Sequence, residues 1–179
     1  ETDPDACVDE GYSLSIGTVD TENGTLDIIM NNEDIISGFQ FNIEGINVTG
    51  ASGGSAESSE FQVSTSSSVV LGFSLSGSTI PSGNGLLTTL SFDSDSTVTS
   101  VCLSNVILSD PVGTAVDVTV GDCFEGFGCM DDAACNYNED AIIDNGSCWY
   151  VGEGNNYCDC DMNSLDITDL SATGGLNEV

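Results

Sequence analysis

Residues 128–148, GCMDDAACNYNEDAIIDNGSC, carry oxygen-bearing side chains at alternate positions between cysteines. Calcium takes six to eight oxygens from carboxylates, amides and backbone carbonyls, at about 2.3–2.6 Å. Asn136, Asn138 and Asp140 have the i, i+2, i+4 spacing of a calcium loop; Asp131 precedes them and Asp144 follows. The EF-hand pattern is incomplete, because no Gly follows the third ligand and no Glu stands at the twelfth loop position. A second alternation, Asp159, Asp161 and Asn163, opens the segment CDCDMNSLDITDLSATGGL, and Asp169 lies downstream. Ser164 stands where such a loop needs Gly for its sharp turn. Asp166 is placed to cap a terminal helix and Gly174-Gly175 to end it. Both stretches are calcium candidates, and an acidic loop closed by disulfides is the alternative for each.

The cysteines number eight: Cys7, Cys102, Cys123, Cys129, Cys135, Cys148, Cys158 and Cys160. No His is present to complete a Cys/His zinc site. Cys158 and Cys160 are spaced C-x-C rather than C-x-x-C, which argues against a four-cysteine zinc site. Three Asn-X-Ser/Thr sequons stand at Asn23, Asn47 and Asn145. An even cysteine count with sequons predicts four disulfides in a secreted, extracellular glycoprotein. The start at Glu1 without Met reads as a processed mature chain. No apolar run approaches the ~20 residues of a membrane span, so direct membrane insertion is not expected.

The 179 residues include 30 acids and no Lys, Arg or His, a formal charge of −30. An average composition would supply roughly 20 basic residues. No side-chain salt bridge can form, and no basic patch exists for nucleic acid or an anionic membrane. Catalysis is not expected either. The usual general base is missing, as are Lys and Arg for Schiff bases, phosphate clamps or oxyanion support. No G-x-S-x-G nucleophile elbow occurs. Residues 51–110 hold five acids and residues 121–179 hold thirteen. An apolar, Ser/Thr/Gly-rich body is followed by an acidic, Cys-rich tail.

Period-2 alternation dominates the body and predicts strands. YSLSIGTV, TLDIIM, GFQFNIEGI, FQVSTS, VVLGFSLSG, LLTTLSF, TSVCLSNVILS and AVDVTV are separated by Gly, Ser, Asn, Asp and Pro, and SAESSEF reads as one helical turn. Eight or nine short strands with almost no helix predict an all-β, antiparallel jelly-roll sandwich. The division is residues 1–124 as sandwich and 125–179 as a small, disulfide-rich, loop-dominated module with a short terminal helix. If CLSNVIL and AVDVTV form a hairpin around SDPVG, Cys102 and Cys123 face each other. A disulfide requires their Cα atoms within about 7 Å.

The body resembles the cohesin family over residues 8–123. GFQFNIEGINVTG corresponds to an early central strand, GLLTTLSFD to a late core strand and VCLSNVILSDPVGTAVDVTVGDC to a closing hairpin. The resemblance implies a nine-stranded jelly roll that mediates protein attachment, typically to calcium-binding dockerin modules, without catalysis. The cysteines and the missing basic residues depart from that pattern. Gly128, Cys129, Asp131, Ala134, Asn136, Tyr137, Ala141, Gly146, Ser147 and Cys148 resemble a short repeated module of large marine secreted proteins. That likeness implies a Cys129–Cys148 bridge. Cys135 then reaches outside, toward Cys158 or Cys160, and the one left over takes Cys7. LDITDL resembles the start of a dockerin helix, but the likeness covers only half a dockerin.

Thirteen acids without a base resist compaction at on the order of 1–4 kcal/mol for each close pair. A bound divalent cation, with calcium the expected cofactor, would remove that repulsion. The function expected is a structural subunit that self-associates into an extracellular filament, sheath or surface appendage. The alternative is a non-catalytic adhesion module whose sandwich docks a protein or, less suitably, a carbohydrate. The sole Trp lies outside the sandwich, which leaves few aromatics to stack on sugars.

Overall fold

The computed structural model describes residues 11–93, 98–151 and 160. Cys7, Cys158, Asp159, Asp161, Asn163, Asp169 and the expected terminal helix lie outside the described residues. Within them the alternating segments form strands: β1 (Tyr12–Asp20), β2 (Thr25–Asn32), β3 (Gly38–Glu44), β4 (Asn47–Ser52), β5 (Gln62–Thr65), β6 (Val69–Phe73), β7 (Gly83–Asp93), β8 (Cys102–Ser109), β9 (Ala115–Val116) and β10 (Val118–Val120). One helical turn, α1 (Gly54–Ser58), sits between β4 and β5 and buries Ala56. Glu57 reaches back to accept the Gly53 N–H at 2.5 Å, which satisfies a donor at the helix start.

Two five-stranded sheets face each other, in the orders β10-β1-β2-β7-β4 and β5-β6-β3-β8-β9. The alternation is the cause. In β2, Leu26, Ile28 and Met30 are buried and the residues between them are not. In β3, Phe39, Phe41 and Ile43 do the same from the other sheet. Leu14, Val70, Leu87, Leu90 and Leu108 join them in one core. Each such side chain contributes roughly 1.5–3 kcal/mol when fully removed from water. Polar Thr88 is buried too, and its hydroxyl donates to the Ser52 carbonyl at 3.1 Å.

Three local departures shape the sandwich. In β8 the inward residues are Leu103, Val106 and Leu108, a three-then-two spacing that strict alternation cannot give. Asn105 absorbs the extra residue at φ 49°, where the pairing with β3 shifts register. A bulge with a left-handed Asn re-aims the strand without a Gly. Second, Gly45 turns β3 into β4 at φ 95°, and a Cβ there would lie 2.0 Å from the Ser100 carbonyl oxygen. Third, AVDVTV is divided: β9 pairs antiparallel with β8, while β10 crosses to the other sheet and pairs parallel with β1.

That crossing changes the route by which Cys102 meets Cys123. The β8–β9 hairpin is short, with Ser109 opposite Ala115 and Leu108 opposite Val116. The chain then leaves for β1 and returns through a bridge between Val101 and Phe124. Cys102 and Cys123 are bonded beside that bridge, with Cα atoms 4.4 Å apart. They are brought together by the return, not by a continuous hairpin.

Beyond Phe124 two short strands, β11 (Phe127–Gly128) and β12 (Ile143–Asp144), pair in parallel. Phe127 and Ile143 are buried in the same core as the sandwich residues, and Phe127 packs edge-on to Phe124 with centroids 5.5 Å apart. The tail is thus anchored on one end of the sandwich.

Candidate functional site

The outward residues of the β5-β6-β3-β8-β9 sheet follow from its register. One row across the sheet is Ser64, Leu71, Gln40 and Ile107. The next is Gln62, Phe73, Gly38, Ser109 and Ala115. A third brings Val69, Asn42 and Ser104 together. Leu71 and Ile107 are 39% and 45% exposed, flanking Gln40. Gly38 leaves the floor bare, and a shallow depression of about 310 Å³ opens between Leu71, Phe73, Ile107 and Ser109. These rows carry no charge. Carboxylates stand at the ends of the rows: Glu44 at the end of β3 accepts the Ser104 hydroxyl at 2.7 Å, and Asp110, which follows Ser109, accepts the Thr114 N–H at 2.8 Å. No acid occurs anywhere in residues 61–92.

The outer face of the other sheet is mostly hydrophilic, with Ile29 opposite Leu86 as its apolar pair. Ser13 stands opposite Asn31, Thr25 opposite Ser91 and Asp27 opposite Thr89. The Thr89 hydroxyl donates to Asp27 at 2.7 Å.

Three solved structures are similar to this chain. One is a non-cellulosomal cohesin from the hyperthermophilic archaeon Archaeoglobus fulgidus, 18% identical, covering 62% of this chain and 86% of the other, with a TM-score of 0.47. The second comes from a complex of CaCohA2 with a CaDoc0917 variant, 17% identical, covering 62% and 94%, with a TM-score of 0.46. The third comes from a type I cohesin–dockerin complex of Clostridium thermocellum, 12% identical, covering 62% and 89%, with a TM-score of 0.46. No protein-family profile and no curated protein matches the chain.

The tail places the expected calcium ligands individually, at turns. Asp131 accepts the Ala133 N–H at 2.9 Å through Oδ1, and the Tyr150 hydroxyl at 2.5 Å through Oδ2. Asn138 Oδ1 accepts the Asp140 N–H at 3.1 Å. Asp144 accepts the Gly146 N–H at 2.9 Å, and Asn145 Oδ1 accepts the Ser147 N–H at 3.0 Å. In all four the acceptor serves a backbone N–H two residues on, the Asx-turn geometry. Asn136 has a longer reach: its Nδ2 donates to the Ser147 carbonyl at 2.8 Å and its Oδ1 accepts the Trp149 N–H at 3.0 Å. Asp140 is exposed and offers its backbone N–H to Asn138. Among the described residues no three His, Cys, Asp or Glu side chains converge as a metal site. The hydrogen bond from Tyr150, and then that from Ala133, hold the Asp131 carboxyl below the usual aspartate range.

Cys129 is bonded to Cys148, with Cα atoms 4.9 Å apart. Cys135 is bonded to Cys160, again at 4.9 Å between Cα atoms. Of the sequons, Asn23 and Asn47 are exposed, and Asn145 is half-buried with its Nδ2 donating to the Val98 carbonyl at 2.6 Å.

Leu71, Phe73, Ile107 and Gln40 are the functional candidates that motif reading passed over. Their signal was the charge gap, not a motif.

Proposed function

We propose that this protein is a non-catalytic, extracellular building block whose sandwich engages protein surfaces through the outer face of the β5-β6-β3-β8-β9 sheet. The observation that carries the reading is the uncharged row Leu71–Gln40–Ile107, exposed in a chain of −30 formal charge. Copies of an all-acidic chain repel one another in water. They can meet only where charge is absent or neutralised, and this face meets that condition. The assembly favoured is therefore homomeric, a filament, sheath or appendage of like subunits. Three disulfides among the described residues support an oxidising, extracellular setting. The sequence resemblance to cohesins supports attachment to protein as the mode of action. Calcium enters as the ion that would screen acidic flanks between neighbouring copies.

Negative-stain microscopy and sedimentation of the purified protein, with and without calcium, test this. Regular polymers are expected, more abundant with calcium. A monodisperse monomer at high concentration with calcium present would overturn the homomeric reading.

The alternative partner is a different protein docked on the same face, supported by the cohesin resemblance. It predicts a soluble monomer whose binding to that partner is lost on Leu71→Ser.

A further inference from the structure

We propose that one end of the sandwich is glycan-bearing, with Asn23 and Asn47 as N-linked attachment sites and Asn145 left bare. The proposal stands independently of the docking face.

Asn23 lies in the exposed turn between β1 and β2, and Asn47 opens β4. Thr25 and Thr49 complete their sequons. The two asparagines flank the end of β7: the Gly24 carbonyl accepts the Phe92 N–H at 2.8 Å on one side, and Asn47 stands opposite Asp93 on the other. Adjacent strands are about 4.8 Å apart, so the two attachment points lie roughly 10 Å apart on one end of one sheet. Asn23 Nδ2 donates to Asp20 Oδ2 at 2.7 Å. A glycosylated amide keeps one N–H, so this local bond survives attachment. Asn47 begins β4, an outer strand of its sheet.

Asn145 is built differently. Its Nδ2 donates across the seam between tail and sandwich to Val98, and its Oδ1 holds Ser147. The sequon hydroxyl, Ser147 Oγ, lies 3.4 Å from Asn136 Nδ2. One N–H would survive attachment here as at Asn23, but Asn145 is half-buried at the seam where Asn23 and Asn47 are exposed, its sequon hydroxyl faces Asn136, and the Cys129–Cys148 bridge fixes the loop that carries them. A sugar on that nitrogen would enter the seam and separate its walls.

The chemistry requires an oligosaccharide carried on a polyprenyl diphosphate. Asn Nδ2 attacks the anomeric carbon, and an N–C bond forms as the C–O bond to the diphosphate breaks. The diphosphate leaves with the bonding pair and the amide loses one proton. Nothing is oxidised or reduced.

The test uses protein from its native source. Trypsin has no site in this chain, so a Glu/Asp-specific protease is used for the digest. An amidase that releases N-glycans while converting the attached Asn to Asp marks each occupied position by mass, read as the excess over a digest without amidase, because Asn23-Gly24 and Asn145-Gly146 can deamidate on their own. Conversion at Asn23 and Asn47, with Asn145 unconverted, is the expected result. Conversion at Asn145, or no conversion at either Asn23 or Asn47, overturns the proposal. An unglycosylated chain that still assembles removes this proposal alone and leaves the docking face standing.

Discussion

The sandwich and the tail reach stability by opposite means. The sandwich buries large side chains from two sheets, with Phe41, Leu14, Leu26, Ile28, Leu90 and Leu108 fully enclosed. The tail from Phe127 to Val151 buries Phe127, Cys129, Ala134, Ala141 and Ile143 and hangs the rest on side-chain hydrogen bonds and disulfides. Small side chains remove too little apolar surface to offset the entropy of ordering a loop. Covalent closure and Asx turns make up the difference. In a chain without a basic residue, neither region can use salt bridges, so apolar burial, disulfides and the geometry of turns carry the fold.

The contrast can be broken first in the core. Phe41→Ala should cost about 3–5 kcal/mol and unfold sandwich and tail together, read by chemical denaturation. The tail should go too, because Phe127 and Ile143 share that core. Replacing both Cys129 and Cys148 by Ala opens a closure of 19 residues' separation. The expected loss is about 3 kcal/mol and is confined to the tail. Hydrogen exchange should rise over residues 127–148 while β2, β3 and β7 stay protected. Equal loss of protection in the strands would erase the distinction between the two regions.

Gly72→Ala sharpens the sandwich side. A Cβ there would meet the Phe39 ring at 2.1 Å, so a cost of roughly 1–3 kcal/mol from overpacking is expected in a thermal melt. Asn136→Ala is its counterpart in the tail. It strands the Ser147 carbonyl and the Trp149 N–H, at about 1–3 kcal/mol, read as faster exchange at residue 149. The smallest effect concerns pH. The folded carboxyl of Asp131 is depressed by Tyr150, so its contribution is present above the ordinary aspartate range and disappears as pH falls through the lower, folded value. Asp131→Asn should leave tail protection independent of pH in the acidic range. The dependence surviving that change would place its origin elsewhere.

How much of this was legible follows from the same contrast. The sandwich strands were readable because burial forces alternation, which Tyr12–Leu14–Ile16, Leu26–Ile28–Met30 and Phe39–Phe41–Ile43 keep before the bulge at Ile16/Val19 and the turn at Gly45 interrupt it. β4 was not read as a separate strand, since NVTGAS holds a single large apolar residue, Val48, and Gly50 and Ala51 otherwise give no pattern. The division of AVDVTV between sheets was invisible, because alternation says which residues face inward but not which sheet they join. The tail was harder. An oxygen at every second position suits a cation and an Asx turn equally, because both need a short acceptor close to a curving backbone. Sequence does not say whether the Asn138 or Asp144 oxygen aims at an ion or at an N–H two residues on. The face proposed for docking was legible only as an absence of acids over residues 61–92, which gains meaning once the register sets Leu71 and Ile107 in one row.

The most direct test of the account compares matched surface changes on the two sheets. Leu71→Ser with Ile107→Ser removes the apolar row, and Val120→Ser removes a residue of similar exposure from the opposite sheet. Surface changes of this kind shift stability by no more than about 0.5 kcal/mol, so folding is not the variable. Association is then followed by sedimentation and electron microscopy. The account predicts polymers from the Val120 variant and none from the Leu71/Ile107 pair. Polymers from the pair, or their loss from the Val120 variant alone, would contradict it.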